Sequence, residues 1–501
     1  MKVALIYPDF PDWDVGGCYY TGIASLAASL KEAGHDVFFW HVSSSIKKEA
    51  FIDRIRKYNP GVVGFSSTTP MYKYVREWVS WIKTATNALV ICGGVHARMN
   101  PEDVISTPGI DVVCHGEGEL SLVELCNKLD AKQSIVDIEN FIFNTPNGVV
   151  QNALRLVEDL NKLPDPDRDI FDHNKLYDYS KAGYASTAAF VFSRGCPFSC
   201  SYCGNPRLMR DYPNKGKYCR RISPERAVQQ IVNHLQKYPN TEYIRIHDSI
   251  INLNREWFDE FCDRYSRNID VPYICLLRVD KKLFDEGVVL KLKQCGCVLA
   301  MLGIEHGNEG YRRSVLNRSM SDDEIISAFQ LCKKHGLATR GYVMFGTPYE
   351  TMDLMIDTVK LVAMSGAFDL SATIFYPFPQ TQLHDLCLRE GFVLKNTPSK
   401  SWPTAILDQP TVTKENVYFT WRISRILLLI YALCYRGDFG KNIEQKEEEI
   451  DAHVKSMINA LSVHLNESVA GKLEKYDSLA HRLYKEIFHS EISLNPLLFR
   501  I

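Results

Sequence analysis

The sequence lacks a charge surplus of either sign: 58 basic residues face 60 acidic ones, giving a formal net charge of −2 and a pI near 6.7. Proteins that hold nucleic acid by neutralising phosphates carry a clear cationic excess, so no nucleic-acid partner is expected and at most a local basic patch remains. It also lacks a hydrophobic run long enough to cross a bilayer. The longest run near the C-terminus, ILLLIYALCY at 426–435 between Arg422, Arg425 and Arg436, falls well short of the roughly 20 apolar residues a spanning helix needs. It reads as a buried helix, with no stable membrane insertion. No leader-like segment precedes the strand-like KVALIYP, so a cytoplasmic location is expected. The 15 cysteines are an odd number spread over 501 residues, which argues against a disulfide framework and leaves thiols available for metal. Disorder is excluded by 46% hydrophobic and 11% aromatic residues. The length suits about three domains at roughly 150 residues each.

Residues 1–128 alternate strand-like and helix-like segments. KVALIYP, DVFFWHV, GVVGFSS and ALVICGG are short apolar runs, and between them lie segments such as TGIASLAASLKEAGH and MYKYVREWVSWIKTA with apolar residues at helical spacing. This order predicts an α/β, Rossmann-like domain with a parallel sheet. Ligands of such sheets bind at the carboxyl ends of the strands, here PDFPDWDVGG, SSTTP, GGVHARMNP and HGEGE. No GxGxxG follows the first strand, so the dinucleotide fingerprint is missing.

Four segments in order, GIASLAASLKEAGHDV, PGVVGFSSTT, ICGGVHARMNPEDV and DVVCHGEGE, resemble the cobalamin-binding domain that precedes many radical S-adenosylmethionine enzymes. The resemblance implies that Ser66, Ser67, Thr68, Gly93, Gly94, His96, Gly116 and Glu117 line a corrinoid. The DxHxxG motif that supplies a lower axial histidine in methionine-synthase-like domains is absent, so no histidine of the first loop is expected on the cobalt. A corrinoid-free doubly wound domain, with His96 capping a neighbouring turn, is the competing reading.

Residues 129–185 read as a linker containing a hairpin at FIFNTPNGVVQNA, where Pro-Asn-Gly signals the turn. The chemistry is concentrated in SRGCPFSCSYCGNPR, where Cys196, Cys200 and Cys203 form a CxxxCxxC after Gly195. Three thiolates on one loop suit three irons of a [4Fe–4S] cluster and leave the fourth iron open. Zinc sites normally take four ligands in paired groups, and no second group follows. With Tyr202 before the third cysteine, the motif resembles the radical S-adenosylmethionine superfamily, whose open iron chelates S-adenosylmethionine.

Further alternating segments run through 186–396 and predict a partial (β/α)6 TIM-type barrel, with functional groups at strand ends. Asp248, Arg278, Glu305 and Tyr376 fall at such ends. The resemblance implies Asp248 near the amino group of S-adenosylmethionine, Glu305 of LGIEHG on the ribose hydroxyls and Arg318 of LNRS on the methionyl carboxylate. Gly346 and Pro348 of MFGTPYET would shape the adenine pocket. Structural ion pairs are the alternative for Asp248 and Arg318. Residues 397–501 predict a helical C-terminal domain, with Trp402, Tyr418 and Trp421 more in keeping with a core than a substrate platform.

The resemblance thus implies a class B, methyltransferase-like enzyme of the cobalamin-binding radical S-adenosylmethionine family, expected to methylate an unactivated carbon of a small-molecule substrate. An external donor such as flavodoxin or ferredoxin would supply electrons. Rearrangement, cyclisation or oxidation with cobalamin as electron acceptor or bystander is the alternative outcome, and a non-catalytic iron–sulfur and corrinoid sensor is the non-enzymatic one.

Overall fold

The computed structural model describes residues 1–10, 19–172, 186–212, 216–393, 404–435 and 443–462. Part of the loop after the first strand, the end of the connector, Trp402 and residues 463–501 lie outside the described residues. The chain divides into two compact units, one built mainly on Met1–Ser249 and the other on Ile250–Pro377 with the C-terminal helices.

In the first unit, β1 (Lys2–Pro8) has Val3 to Tyr7 all buried, the mark of a strand covered on both faces. Val3, Leu5 and Tyr7 share one core with Ile23 and Leu30 of α1 (Thr21–Glu32) and with Leu122 and Leu125 of α6 (Glu119–Asp130). Ala4 and Ile6 point the other way, as the two-residue period of a strand requires. They pack with Phe51 of α2 (Lys48–Tyr58) and Trp78 of α3 (Tyr72–Ala85). Around β1 the sheet adds β2 (Asp36–Val42), β3 (Val62–Ser66), β4 (Leu89–Gly93) and β5 (Val112–Cys114), all parallel. Short helices α4 (Val95–Met99) and α5 (Pro101–Ile105) follow β4. The hairpin anticipated within the connector, β6 (Phe141–Thr145) and β7 (Gly148–Gln151), extends the same sheet with antiparallel pairing, in the order β2-β1-β3-β4-β5-β6-β7. The strand order reverses between β1 and β3, which opens a crevice at their carboxyl ends.

The first unit continues with β8 (Thr187–Phe190), parallel to β11 (Tyr243–Ile246). Between them lie β9 (Ser193–Arg194) and β10 (Arg220–Arg221), paired antiparallel around the cysteine loop and helix α7 (Gly204–Arg210). Helix α8 (Pro224–Lys237) starts where expected, with the Ser223 hydroxyl accepting from Arg226 N at 3.2 Å.

The second unit holds α9 (Arg255–Asn268), β12 (Tyr273–Leu277), α10 (Glu286–Gln294), β13 (Cys297–Glu305), α11 (Glu309–Ser314), α12 (Asp322–Lys334), β14 (Ala338–Phe345), α13 (Met352–Met364), β15 (Asp369–Ile374) and α14 (Gln382–Arg389). Its strands pair in parallel and in chain order. Together with β8 and β11 they supply the six strands of a partial (β/α)6 barrel, so the fold is α/β, with a Rossmann-like N-terminal domain and helices at the C-terminal end. The apolar run 426–435 lies in α15 (Lys414–Tyr435), where Leu427, Ile430 and Tyr431 are fully buried. Trp421 of the same helix donates its indole N–H to Ala372 O at 2.9 Å, and α16 (Ile443–Ser462) follows. Among the described residues no helix is long and apolar enough to cross a membrane.

Candidate functional site

The carboxyl ends of β3, β4 and β5, with Leu5 of β1 and the first residues of α1, line a cavity of about 360 Å³ within the first unit. Ser66, Gly93, Gly94, Gly116 and Glu117, five of the residues expected around a corrinoid, contribute to its wall. Ser67, Thr68 and His96 are not among the lining residues. Gly94 has φ +90°, and a Cβ there would stand 2.5 Å from Ser67 N, so only glycine allows the loops after β3 and β4 to meet. His96 is buried, with Nδ1 3.2 Å from Thr69 Oγ1 and Nε2 3.2 Å from Asp103 Oδ2. Both ring nitrogens therefore have protein partners, and Tyr72 packs on the ring at 4.3 Å. Arg98 lines the cavity and forms no ion pair among the described residues.

The same cavity is walled by Arg194, Gly195, Asn205 and Arg220 from the segment around the cysteine motif. Arg220 reaches Glu117 through both guanidinium nitrogens, Nη2 to Oε1 at 2.7 Å and Nη1 to Oε2 at 3.0 Å. Arg194 contacts Glu117 Oε1 at 3.2 Å and also pairs with Glu119. Val157 N donates to Glu117 Oε2 at 2.7 Å. Burial pushes the Glu117 carboxyl up, but the two arginines and this N–H outweigh it and bring it down to about 2. Sequence reading had anticipated Glu117 but not its partners. The visible signal was Arg194 immediately before Gly195; nothing marked Arg220, 103 residues from Glu117.

The chain turns at Gly195 with φ +84° into the cysteine loop. Cys203 N donates to Cys200 O at 3.1 Å, and Cys203 Sγ accepts from Asn205 N at 3.5 Å as the first cap of α7. Burial raises the Cys196 thiol to about 11, and the nearby Cys203, Cys200 and Cys219 thiols add to the rise. Cys219, sixteen residues beyond Cys203, is thus a neighbour of the motif. Among the described residues no three metal-ligating side chains already stand at metal-binding separation. The donor set nonetheless suits an iron–sulfur cluster: three thiols on one short loop, two of them only partly buried. In the second unit, Cys297 lies on β13 and Cys295 caps α10.

Asp248 follows β11 and is buried, with 1% exposure. Its Oδ1 accepts from Phe192 N at 2.6 Å and Ser193 N at 3.2 Å, while Oδ2 has no hydrogen-bond partner among the described residues. Burial pushes this carboxyl up, against the opposing pull of those N–H groups and of Arg221. A buried acceptor without a donor is uncommon in a protein interior. An ammonium group beside the loop entrance would satisfy it.

In the second unit, Glu305 ends β13 at a register shift and has φ +70°. Its Oε1 lies 3.5 Å from Arg318 Nη1, and Arg318 Nη2 donates to Gly303 O at 2.5 Å. A Cβ on residue 303 would stand 2.5 Å from Glu305 Oε1 and 3.3 Å from Arg318 Nη2, so Gly303 makes room for the pair. The loops after β13 and β14 are tied by Tyr311, whose hydroxyl lies 2.8 Å from Thr347 Oγ1 and 2.5 Å from Pro348 O. Glu350 Oε2 accepts from Thr347 N at 2.9 Å, and its Oε1 lies 3.4 Å from the fully buried His306 Nε2. Gly346 turns the chain at φ +76°. Arg278 immediately follows β12, and Tyr376 lies two residues beyond β15.

These features define an enzyme class with a crevice-binding Rossmann-like domain and a barrel that begins with a cysteine loop. The B12 binding domain model matches residues 15–126 and the Radical SAM superfamily model matches 190–362. The chain is a cobalamin-binding radical S-adenosylmethionine enzyme. It is 26% identical over 399 residues to an anaerobic magnesium-protoporphyrin IX monomethyl ester cyclase of Rubrivivax gelatinosus, covering 76% of this chain and 69% of that one. It is also 26% identical over 420 residues to an uncharacterized methyltransferase of Pyrococcus horikoshii, covering 83% and 87%. The fold resembles that of TsrM from Kitasatospora setae, a radical S-adenosylmethionine methyltransferase solved with cobalamin and a [4Fe–4S] cluster bound, with a TM-score of 0.62 at 18% identity over 77% of this chain and 75% of that one.

Proposed function

We propose that the protein methylates an unactivated carbon of a small-molecule substrate. The observation that carries this reading is the shared cavity wall, to which the strand-end loops of the cobalamin-type domain and the residues flanking the cysteine motif both contribute. When bound, the [4Fe–4S] cluster and S-adenosylmethionine supply a 5′-deoxyadenosyl radical that abstracts hydrogen, and the corrinoid supplies the methyl group.

In this reading Cys196, Cys200 and Cys203 hold the cluster. Asp248 accepts a hydrogen bond from the amino group of S-adenosylmethionine through its unpartnered Oδ2. Glu305 accepts from the ribose, Arg318 faces the carboxylate by charge-assisted pairing, and Gly346 and Pro348 border the adenine. Ser66, Gly93, Gly94 and Gly116 bring bare backbone or small side chains to the corrinoid, while Ser67, Thr68 and His96 support the loop behind them. The enzyme works in the cytoplasm with a flavodoxin- or ferredoxin-type electron donor.

Anaerobic reconstitution with iron, sulfide and cobalamin, followed by reductant and S-adenosylmethionine carrying a labelled methyl group, tests the reading. Label in a product from source-cell extract, with 5′-deoxyadenosine formed alongside, is expected, and Cys200→Ala should abolish both. 5′-Deoxyadenosine without labelled product favours cyclisation or oxidation, the reading that the cyclase relative supports. No 5′-deoxyadenosine from fully loaded wild-type protein leaves only a sensor.

A further inference from the structure

We propose that Glu117, Glu119, Arg194 and Arg220 form a positioning strut that fixes the corrinoid loop against the cysteine loop; this inference rests on the functional reading above. Glu117 and Glu119 lie at the junction of β5 and α6, on a loop that walls the cavity. Arg194 and Arg220 are direct partners across the β9–β10 hairpin. That hairpin brackets the cysteine loop, with Arg194 two residues before Cys196 and Arg220 directly after Cys219. Both strands of the bracket are therefore pinned to a single carboxylate of the other domain.

The chemistry favours positioning over simple adhesion. Glu117, Glu119 and Arg220 are each no more than 8% exposed, so their charges have lost water and depend on one another. Two carboxylates face two guanidinium groups, which leaves the cluster neutral. Buried ion pairs are weak sources of net stability, because desolvation offsets attraction, but their directional contacts are well suited to fixing register. The bidentate Arg220–Glu117 contact sets angle as well as distance. Val157 is held by the same carboxylate through its N–H, and its carbonyl accepts from Arg220, so the connector is locked to the same point. A methyl transfer that draws on both cofactors requires their separation to be held closely, and a displacement of about 1 Å can cost on the order of 10²-fold in rate.

The test uses full-length enzyme loaded with cob(II)alamin and reduced cluster, and reads electron spin–spin coupling between the two centres by paramagnetic resonance. Arg194→Gln removes the charge, and Arg194→Lys keeps it without the forked geometry, so one folded variant suffices if the other fails. Lys237→Ala, which breaks an exposed pair with Asp169, is the control. The strut predicts normal cobalamin and iron content, altered spin coupling and roughly a tenfold fall in methylated product per 5′-deoxyadenosine, with the control unchanged. Unaltered coupling in a folded, loaded variant overturns the proposal. So does loss of cobalamin binding alone, which would make Arg194 a ligand-binding residue. If wild-type protein takes up neither cofactor, the functional reading itself fails, an outcome separated from the others because no variant is involved.

Discussion

Two glutamates at strand-end loops, Glu117 buried in the first unit and Glu305 only partly buried in the second, show how differently a carboxylate can be committed. Glu117 is saturated: two arginines and a backbone N–H take both of its oxygens. Glu305 has one arginine contact among the described residues, at 3.5 Å, and is held on a backbone with φ +70°. A saturated carboxylate sets geometry and has little capacity left for a ligand. An under-committed one in a strained conformation retains acceptor capacity, and strain of this kind gathers at ligand sites.

The contrast is broken most sharply by Glu117→Gln. Removing one member of a buried ion network leaves Arg220 and Arg194 without full compensation, at a cost of about 3–5 kcal/mol. Chemical denaturation should show that loss in the first unit, whereas Glu305→Gln should change stability by less than about 1 kcal/mol. Similar losses for the two variants would erase the distinction.

Acid provides a second, somewhat smaller test. The Glu117 carboxyl falls from an ordinary 4.5 to about 2 in the folded protein. A lowered folded value means the unfolded chain takes up the proton first. The stabilisation is therefore complete above pH 4.5 and is lost as pH falls toward 2, amounting to at most about 3 kcal/mol. His115 adds an earlier loss, because burial lowers it from 6.5 to about 4 and favours the neutral ring. Denaturation midpoints should decline from pH 6.5 downward in wild type, and Glu117→Gln should show a shallower decline below 4.5, where only the Glu117 contribution is removed. A parallel decline in the variant would contradict the assignment.

Ligand affinity tests the other side. Glu305→Gln should weaken S-adenosylmethionine binding to the cluster-loaded protein by about tenfold, the equivalent of roughly 1.4 kcal/mol and just below the range of about 1.5–3 kcal/mol for a hydrogen bond to a charged group. Calorimetric titration measures this without turnover. Unchanged affinity would remove Glu305 from the site.

The contrast also marks what sequence can reveal. The strands of the first sheet were legible because burial on both faces writes continuous apolar runs such as KVALIYP, and Pro-Asn-Gly announced the β6–β7 hairpin. The cysteine loop and LGIEHG were legible because local chemistry demands local spacing. Which residues of SSTT and GGVH face the cavity was not, since Ser66 lines it and Ser67 does not. The Arg220–Glu117 pair was also hidden, because a side-chain contact across 103 residues leaves no periodic trace. The Glu305–Arg318 pair, 13 residues apart, was only half visible: both residues stood out, but not their contact.

The smallest effect concerns the backbone that presents Glu305. A non-glycine residue at φ +70° occupies the left-handed region, at a cost of the order of 1 kcal/mol. Glu305→Gly removes that strain and the carboxylate together, but it also raises the conformational entropy of the unfolded chain, which offsets part of the gain. The net should be a stabilisation of no more than about 0.5 kcal/mol, read as a small rise in denaturation midpoint, accompanied by the same affinity loss as Glu305→Gln. Glu305→Ala separates the two contributions, since it loses the carboxylate but keeps the strained Cβ and should therefore match Gly in affinity while remaining less stable. If Ala and Gly prove equally stable, the strain of the left-handed backbone is no larger than the unfolded-state entropy that glycine adds, and the difference between the two glutamates reduces to the number of their partners.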